Sequence, residues 1–199
     1  NGLVLALPRG GVPVAAEVAT ALGLPLDVFV VRKLGLPGHE ELAMGAIAAG
    51  GVRLLNEDVV RYLRPSTAII EAVTAKEQIE LERRVRAYRG DQAPLKVYGR
   101  TVILVDDGLA TGATMRAAIA ALKQQQPARL VVAVPVAPLA TYYEIKTEVD
   151  EMVAVHLPEH LDSVGSWYED FSQTTDREVR QLLDHAARQY AAVVAAYKV

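Results

Sequence analysis

The chain of 199 residues contains no cysteine. That rules out disulfide cross-links and thiolate metal centres, and it suits a reducing compartment, so a cytoplasmic location is expected. No apolar run reaches membrane-spanning length and no signal peptide is visible, so neither a bilayer span nor secretion is expected. An excess of one charge is also lacking: 21 Lys and Arg against 24 Asp and Glu leave a net charge of −3. Such a balance gives no support to nucleic-acid binding or to attachment to an anionic membrane, and any anion site must be a local basic cluster. Aromatic residues make up only 6%, which gives weight to any place where they gather. Three chemical signatures are missing as well. There is no Gly-x-x-x-x-Gly-Lys-Ser/Thr loop of a P-loop nucleotidase and no Gly-x-Ser-x-Gly elbow of an α/β hydrolase. His156 and His160 are separated by Pro158, which denies them the helix that a His-x-x-x-His metal site needs. What remains is 51% hydrophobic and 23% charged, an ordinary globular balance with enough chain for one substantial core.

The most informative stretch is Val102-Ile103-Leu104-Val105-Asp106-Asp107-Gly108-Leu109-Ala110-Thr111-Gly112-Ala113-Thr114. Four consecutive aliphatic residues read as a strand buried on both faces. Two aspartates end it, a loop of small residues follows, and Met115, Ala118, Ile119 and Leu122 then recur at helical spacing. Ala110, Thr111, Gly112, Ala113 and Thr114 offer unencumbered N–H groups, hydroxyls and the positive end of a helix dipole, all suited to a phosphate. Asp106 and Asp107 can accept hydrogen bonds from sugar hydroxyls or hold a divalent cation through oxygen or water. Together the two groups ask for a ribose 5-phosphate. A plain structural turn from strand to helix needs neither paired acids nor both threonines.

Two further strand ends carry related chemistry. Residues 2–7 read as a buried strand running into Pro8-Arg9-Gly10-Gly11, then into a helix with Val14, Val18 and Leu22 inward and Gly23 at its end. Arg9, Gly10 and Gly11 thus stand where open α/β sheets bind ligands, with glycines that let the backbone approach closely. Residues 26–31 read as a second strand ending in Arg32-Lys33, adjacent cations best placed with an anion between them. Residues 35–41, rich in Gly and Pro, have the character of a mobile lid, and His39 within it reads as a solvated side chain.

The rest alternates. Residues 42–48 and 52–55 read as a hairpin, Asn56 as the cap of a short helix, Ser66 as the start of a long one to Arg89, and 90–99 as a polar connector. Strand, helix and strand follow after the central motif, at 130–136, 139–146 and 151–156. Strand and helix alternate throughout, so the fold class expected is α/β: a mostly parallel central sheet with helices on both faces, as one domain over 1–199. Mobile loop and hairpin would occupy about 33–55, and a C-terminal hood and helix about 157–199. In that hood Trp167, Tyr168 and Phe171 cluster. Packing as a lid on the sheet and stacking of a ring on a planar base both fit, with Trp167 the expected base contact. The chain starts Asn1-Gly2-Leu3 directly at a strand and without an initiator Met, so an upstream segment is expected.

The central motif resembles the phosphoribosyl-diphosphate (PRPP) binding motif of type I phosphoribosyltransferases, with Gly108 where a bulkier apolar residue is common. Arg9-Gly10-Gly11 resembles the pyrophosphate loop of the same family, and Arg32-Lys33 with the segment after it resembles the start of the family's catalytic loop. The stretches Leu-Pro-Arg-Gly-Gly, Val-Arg-Lys, Asn56-Glu57-Asp58 and Trp-Tyr-x-Asp-Phe-Ser-Gln-Thr-Thr are similar to a bacterial branch of predicted phosphoribosyltransferases. The resemblance implies transfer of phosphoribose from PRPP to a nitrogen acceptor, with loss of pyrophosphate and with Mg²⁺ carried on substrate oxygens. It implies catalytic roles for Asp106, Asp107, Arg32 and Lys33, a 5-phosphate loop at 110–114, and a pyrophosphate loop at Arg9, Gly10 and Gly11, whose amides would face the diphosphate. A cis peptide is expected in that loop, between Arg9 and Gly10. Asp107, Glu40 and Glu41 remain alternative proton acceptors. A small-molecule substrate and acceptor, and a homodimer, are the partners expected. A PRPP- or nucleotide-binding regulator on the same fold, without transfer, is the other reading.

Overall fold

Leu3 and Leu5 leave one side of strand β1 (Gly2–Ala6) while Val4 and Ala6 leave the other, and none of the four is more than 3% exposed. The computed structural model, which describes residues 1–90, 92–94 and 96–196 without the side chains of Glu40 and Glu41, shows why. β1 lies inside a five-stranded, all-parallel sheet with β2 (Leu26–Val28), β6 (Thr101–Val105), β7 (Arg129–Val136) and β8 (Glu151–His156), in the order β2-β1-β6-β7-β8. A strand covered on both faces has no polar side, so unbroken aliphatic runs replace alternation.

Each face has its own core. On one, Leu3, Leu5, Val102, Leu104 and Val132 pack under α4 (Ala113–Gln124) and α5 (Leu139–Lys146), through Met115, Ile119, Leu122 and Ile145. On the other, Val4, Ala6 and Val105 meet α1 (Gly11–Leu22), α3 (Thr67–Arg89) and α6 (Asp176–Ala196) through Val12, Ala15, Leu81 and Val179. The expected helices on both faces are present. The inward face of α1 differs from the expected one: Val12, Ala15, Ala16 and Ala19 are buried, Val14 and Val18 pack at its flank, and Leu22 is exposed. Small alanines bring this helix close to the sheet, and the valines pack at the margin of the same core.

Arg32 and Lys33 are not at the end of a second parallel strand. β2 stops at Val28, and the chain starts an antiparallel sheet of β3 (Val31–Leu36), β4 (His39–Ala48) and β5 (Val52–Leu55). The segment expected to be an open lid is therefore largely strand, with Leu36 paired to His39 and Gly38 turning at φ 81°. Leu34, Met44 and Ile47, each at most 2% exposed, hold this small sheet on the main body. The connector's Asp91 and Leu95 lie outside the described residues.

Helix α2 (Glu57–Leu63) is capped by Asn56, which accepts from the Val59 amide at 3.3 Å, and α3 is capped by Ser66. On α3, Glu80 takes hydrogen bonds from Arg83 and Arg84, and these hold its carboxyl down at about 2. The end of α3 is tied to the sheet by a buried ion pair, Arg89 Nη2 to Asp27 Oδ2 at 2.8 Å, with side chains 7% and 11% exposed. Removing one partner strands the other's charge out of water. Asp27→Ala is expected to lower unfolding free energy by about 3 kcal/mol, read from urea denaturation at pH 7; a loss under about 1 kcal/mol would show that the guanidinium finds water instead.

Candidate functional site at the sheet switch point

β1 and β6 are neighbours, yet their connections leave in opposite directions, through α1 to β2 and through α4 to β7. Their carboxyl ends therefore open a crevice at the switch point of the sheet, the usual ligand position in this architecture. Residues 8–11 and 106–114 are the two loops at that place.

They touch. The amide of Leu7 donates to the Val105 carbonyl at 2.8 Å, the amide of Gly11 to the Leu7 carbonyl at 3.1 Å, and that of Val12 to the Arg9 carbonyl at 3.1 Å. A methyl group on Gly10 would sit 1.8 Å from Asp107 Oδ2, and one on Gly11 2.8 Å from both the Asp106 Cα and the Val105 carbonyl oxygen. Backbone of the neighbouring strand end thus requires Gly11, and a side chain at Gly10 would displace the Asp107 carboxylate, independently of any ligand. Two expectations change here. The Gly11 amide is committed to Leu7 and does not face a ligand, and the cis peptide joins Pro8 to Arg9, not Arg9 to Gly10.

Asp106 Oδ1 accepts the Asp107 amide at 2.9 Å. Burial, then the Asp107 charge, raises the Asp106 carboxyl well above the ordinary range; burial also raises Asp107. No basic side chain is among the groups that shift either one. Two acids without a cation favour a ligand that donates hydrogen bonds or brings positive charge.

Past the acids, the Leu109 amide donates to the Val136 carbonyl at 2.9 Å, and Gly112, at φ 72°, turns the chain into α4. A side chain on Gly112 would meet Ile145 and Thr141. Ala110, Thr111, Ala113 and Thr114 are exposed, and the N–H groups of Ala110, Thr111 and Gly112 find no partner among the described residues. Two side chains that the sequence did not single out brace this loop. Thr141 Oγ1 donates to the Ala110 carbonyl at 3.0 Å. Arg116 donates to the Thr111 carbonyl at 3.3 Å while it pairs with Glu144 and, at 3.0 Å, with Glu148.

A cavity of about 570 Å³ opens on the other side of the acid pair, lined by Arg9, Gly10, Asp107, Tyr168, Phe171 and Gln173 among others. Arg9, Gly10 and Asp107 are therefore together, while residues 110–114 lie outside this cavity. Tyr168 of the aromatic cluster read in the hood, and not Trp167, meets the site: it donates to the Asp107 carbonyl at 2.6 Å, and its hydroxyl is pushed up to about 12 by burial and by the two aspartates. Its ring contacts Phe171 at 5.1 Å between centroids. Trp167 does not line the cavity; it stacks on His156 at 5.2 Å. A short 3₁₀ turn, Val164–Trp167, carries the two adjacent rings to different sides.

The strand alternation of β3 separates Arg32 and Lys33 in the same way. Arg32 donates to Glu77 of α3 at 2.7 Å, and Lys33 lies in a different hollow beside Ala113 and Arg116 at the start of α4. The two cations therefore face different elements, Arg32 toward α3 and Lys33 toward the start of α4. The side chains of Glu40 and Glu41 fall outside the described residues, and among the described ones no cluster of three or more His, Cys, Asp or Glu could hold a metal by itself.

With this geometry, the sequence matches the phosphoribosyl transferase domain over residues 1–164, and the chain belongs to that family. It is 46% identical over 189 residues to the Mycobacterium tuberculosis protein named "Putative phosphoribosyl transferase Rv0571c" of strain H37Rv, and to its counterpart in strain CDC 1551; the match covers 95% of this chain but 43% of those proteins. The chain thus spans under half the length of these curated relatives. Among solved structures it is similar to TT1426 from Thermus thermophilus, with 43% identity, a TM-score of 0.83 and coverage of 92% of this chain and 86% of that one. No helix among the described residues is long and apolar enough to cross a membrane.

The acid pair makes a signed prediction. The folded state raises both carboxyl pKa values, so it holds more protons than the unfolded chain between the ordinary aspartate value and the raised ones. Stability then falls as pH rises through the raised values, and the penalty is absent below the ordinary value. Asp106→Asn keeps an oxygen for the Asp107 amide without the charge. It is expected to raise the thermal midpoint at pH 7, with the gain shrinking as pH falls toward 4, in paired melting curves. An equal shift at both pH values would remove charge as its cause.

Proposed function

We propose that this chain transfers the phosphoribosyl group of PRPP to a nitrogen acceptor, releasing pyrophosphate. What carries the reading is the contact of the Arg9-Gly10-Gly11 loop with Asp106 and Asp107 at the switch point, beside an open loop at a helix start.

In this reading the 5-phosphate takes the N–H groups of Ala110, Thr111 and Gly112, the hydroxyls of Thr111 and Thr114, and the dipole of α4. Asp106 and Asp107 accept hydrogen bonds from the ribose hydroxyls, which offsets the electrostatic cost of leaving two half-buried acids unpaired. Arg9 faces the diphosphate. The bond from C1 to the diphosphate oxygen breaks with its electrons going to the leaving group, and the acceptor nitrogen supplies the pair for the new bond to C1. Positive charge grows on the ribose, where the aspartates are, and negative charge on the diphosphate, where Arg9 is. Catalysis of this kind is orientation and fixed electrostatics, with no covalent enzyme intermediate. Arg32, bound to Glu77, has no part in it, and Lys33 approaches from the α4 side.

Members of this family generally use Mg²⁺ with PRPP. The donor set here fits such a role: two carboxylates raised by burial and without a basic neighbour shifting them welcome a hard cation, yet are too few to enclose one. The ion would be held mainly by substrate oxygens and water, with Asp106 and Asp107 in outer contact, and would supply neutralisation of the leaving diphosphate. The acceptor's place is the 570 Å³ cavity, where Tyr168 and Phe171 offer ring faces and Gln173 and Thr174 offer polar groups.

Asp106→Ala combined with Asp107→Ala is expected to weaken PRPP binding in the presence of Mg²⁺ by more than about tenfold, as loss of several charge-assisted hydrogen bonds requires, with the cooperative melt retained. Unchanged binding by calorimetry would overturn the assignment of the diol site. Pyrophosphate release by the unsubstituted chain across a panel of nitrogen heterocycles tests transfer itself; tight PRPP binding without release from any of them would favour a binding protein.

A further inference from the structure

Arg9 is the one cation among the described residues that lines the crevice cavity, and its own restraint comes from an unexpected quarter of the chain. Its Nη1 lies 3.6 Å from Asp176 Oδ1, both side chains being about one-third exposed, at 32% and 36%. The same Oδ1 accepts a hydrogen bond at 3.2 Å from the hydroxyl of Tyr88, a residue of α3 that is only 5% exposed. Asp176 is the first residue of α6, where a helix dipole favours a negative side chain. The preceding turn is fixed by a reciprocal cap: the Thr175 amide donates to Glu178 Oε2 at 2.7 Å, and the Glu178 amide to Thr175 Oγ1 at 3.2 Å. Asp176 is therefore held by its own helix and by a buried phenol, and it offers an anchored carboxylate to a long, flexible arginine.

We propose that Asp176 is a positioning residue for the diphosphate side of the site: it holds the Arg9 guanidinium at the cavity mouth, with Tyr88 fixing Asp176 in turn. The inference rests on the phosphoribosyl reading above. An arginine loses conformational freedom when it meets an anion, and a partner that restricts it beforehand lowers that cost. The restraint must not compete with the ligand. An ion pair of 3.6 Å between part-exposed groups is weak, so a diphosphate with several charges can take the guanidinium while Asp176 keeps its other contacts. Simple charge counting makes the opposite forecast, because deleting an acid next to an anion site should strengthen anion binding. The sign of the effect separates the two.

The test is calorimetry with PRPP, inorganic pyrophosphate and ribose 5-phosphate, each with Mg²⁺, on the unsubstituted chain, Asp176→Asn and Tyr88→Phe. Asn keeps the shape and an oxygen for Tyr88 but loses the charge that attracts Arg9. The expected result is that Asp176→Asn weakens PRPP and pyrophosphate by about three- to fivefold, the size a part-exposed ion pair supports, and leaves ribose 5-phosphate unchanged. Tyr88→Phe should weaken the same two ligands by less. Pyrophosphate binding that is unchanged or tighter in Asp176→Asn would overturn the proposal, as would equal weakening of all three ligands, which marks a general loss of structure. If the unsubstituted chain binds none of the three, the phosphoribosyl reading falls and this inference with it. If it binds PRPP and Asp176→Asn matches it, only the role of Asp176 falls.

Discussion

Everything at the crevice depends on how closely two parallel strands deliver their loops. β1 and β6 are in register from Gly2 opposite Thr101 to Ala6 opposite Val105, so both chains leave the sheet at the same height. The space between them is smaller than one methyl group at Gly10 and at Gly11. That closeness desolvates Asp106 and leaves Asp107 to line the cavity with Arg9. A side chain at either glycine must displace an aspartate or part the strands, so the loop sequence is fixed by the sheet before any ligand is considered.

The charges around the site are sorted in space. Each arginine that approaches it is held by carboxylates other than the central pair: Arg9 by Asp176, Arg116 by Glu144 and Glu148, Arg32 by Glu77. Asp106 and Asp107 are left with backbone amides, each other and the proximity of Tyr168. Had an arginine neutralised them, the cost of their burial would be offset and the folded chain would be more stable. The raised proton affinity marks acids that burial disfavours and that no basic side chain compensates, a pattern that clusters where function needs uncompensated groups.

Residues 102–114 are legible because two strong periodicities meet there. A both-face-buried strand changes to a helix over a few small residues, and the only polar side chains between are the acids and threonines. The glycines of residues 10–11 are legible as a close approach, although what approaches them is Asp106 and Asp107 of the next strand. Arg32-Lys33 is misleading because a short apolar run looks alike at the end of a three-residue parallel strand and at the start of an antiparallel one. Only the pairing of Val31 with Ala48, seventeen residues on, decides that issue, and alternation then sends the two cations to opposite sides. The hood is legible as an aromatic cluster but not as to which ring does what. Trp167 and Tyr168 are adjacent, and a single 3₁₀ turn determines which of them meets the site. Thr141 and Arg116 give no local signal for their contacts, since each meets a partner at least five residues distant on another loop, and Asp176 is legible only as the start of the last helix, not as a neighbour of Arg9.

Gly108 connects these threads. A side chain there would run into Val164 at 2.6 Å and Val136 at 3.0 Å, so the small residue makes room for the turn that carries Trp167 and Tyr168. One residue further along the same turn, Gly165 leaves the space that Phe171 fills at 2.7 Å. The hood is thereby seated directly on the acid motif, and the Tyr168 hydroxyl closes the contact on the Asp107 carbonyl. The lack of a side chain at position 108 thus has a structural counterpart: a hood brought down onto the sheet. Asp107 and Tyr168 thus belong both to the cavity wall and to the contact that seats the hood, so the shape of the cavity and the placing of the acids are set by the same few atoms.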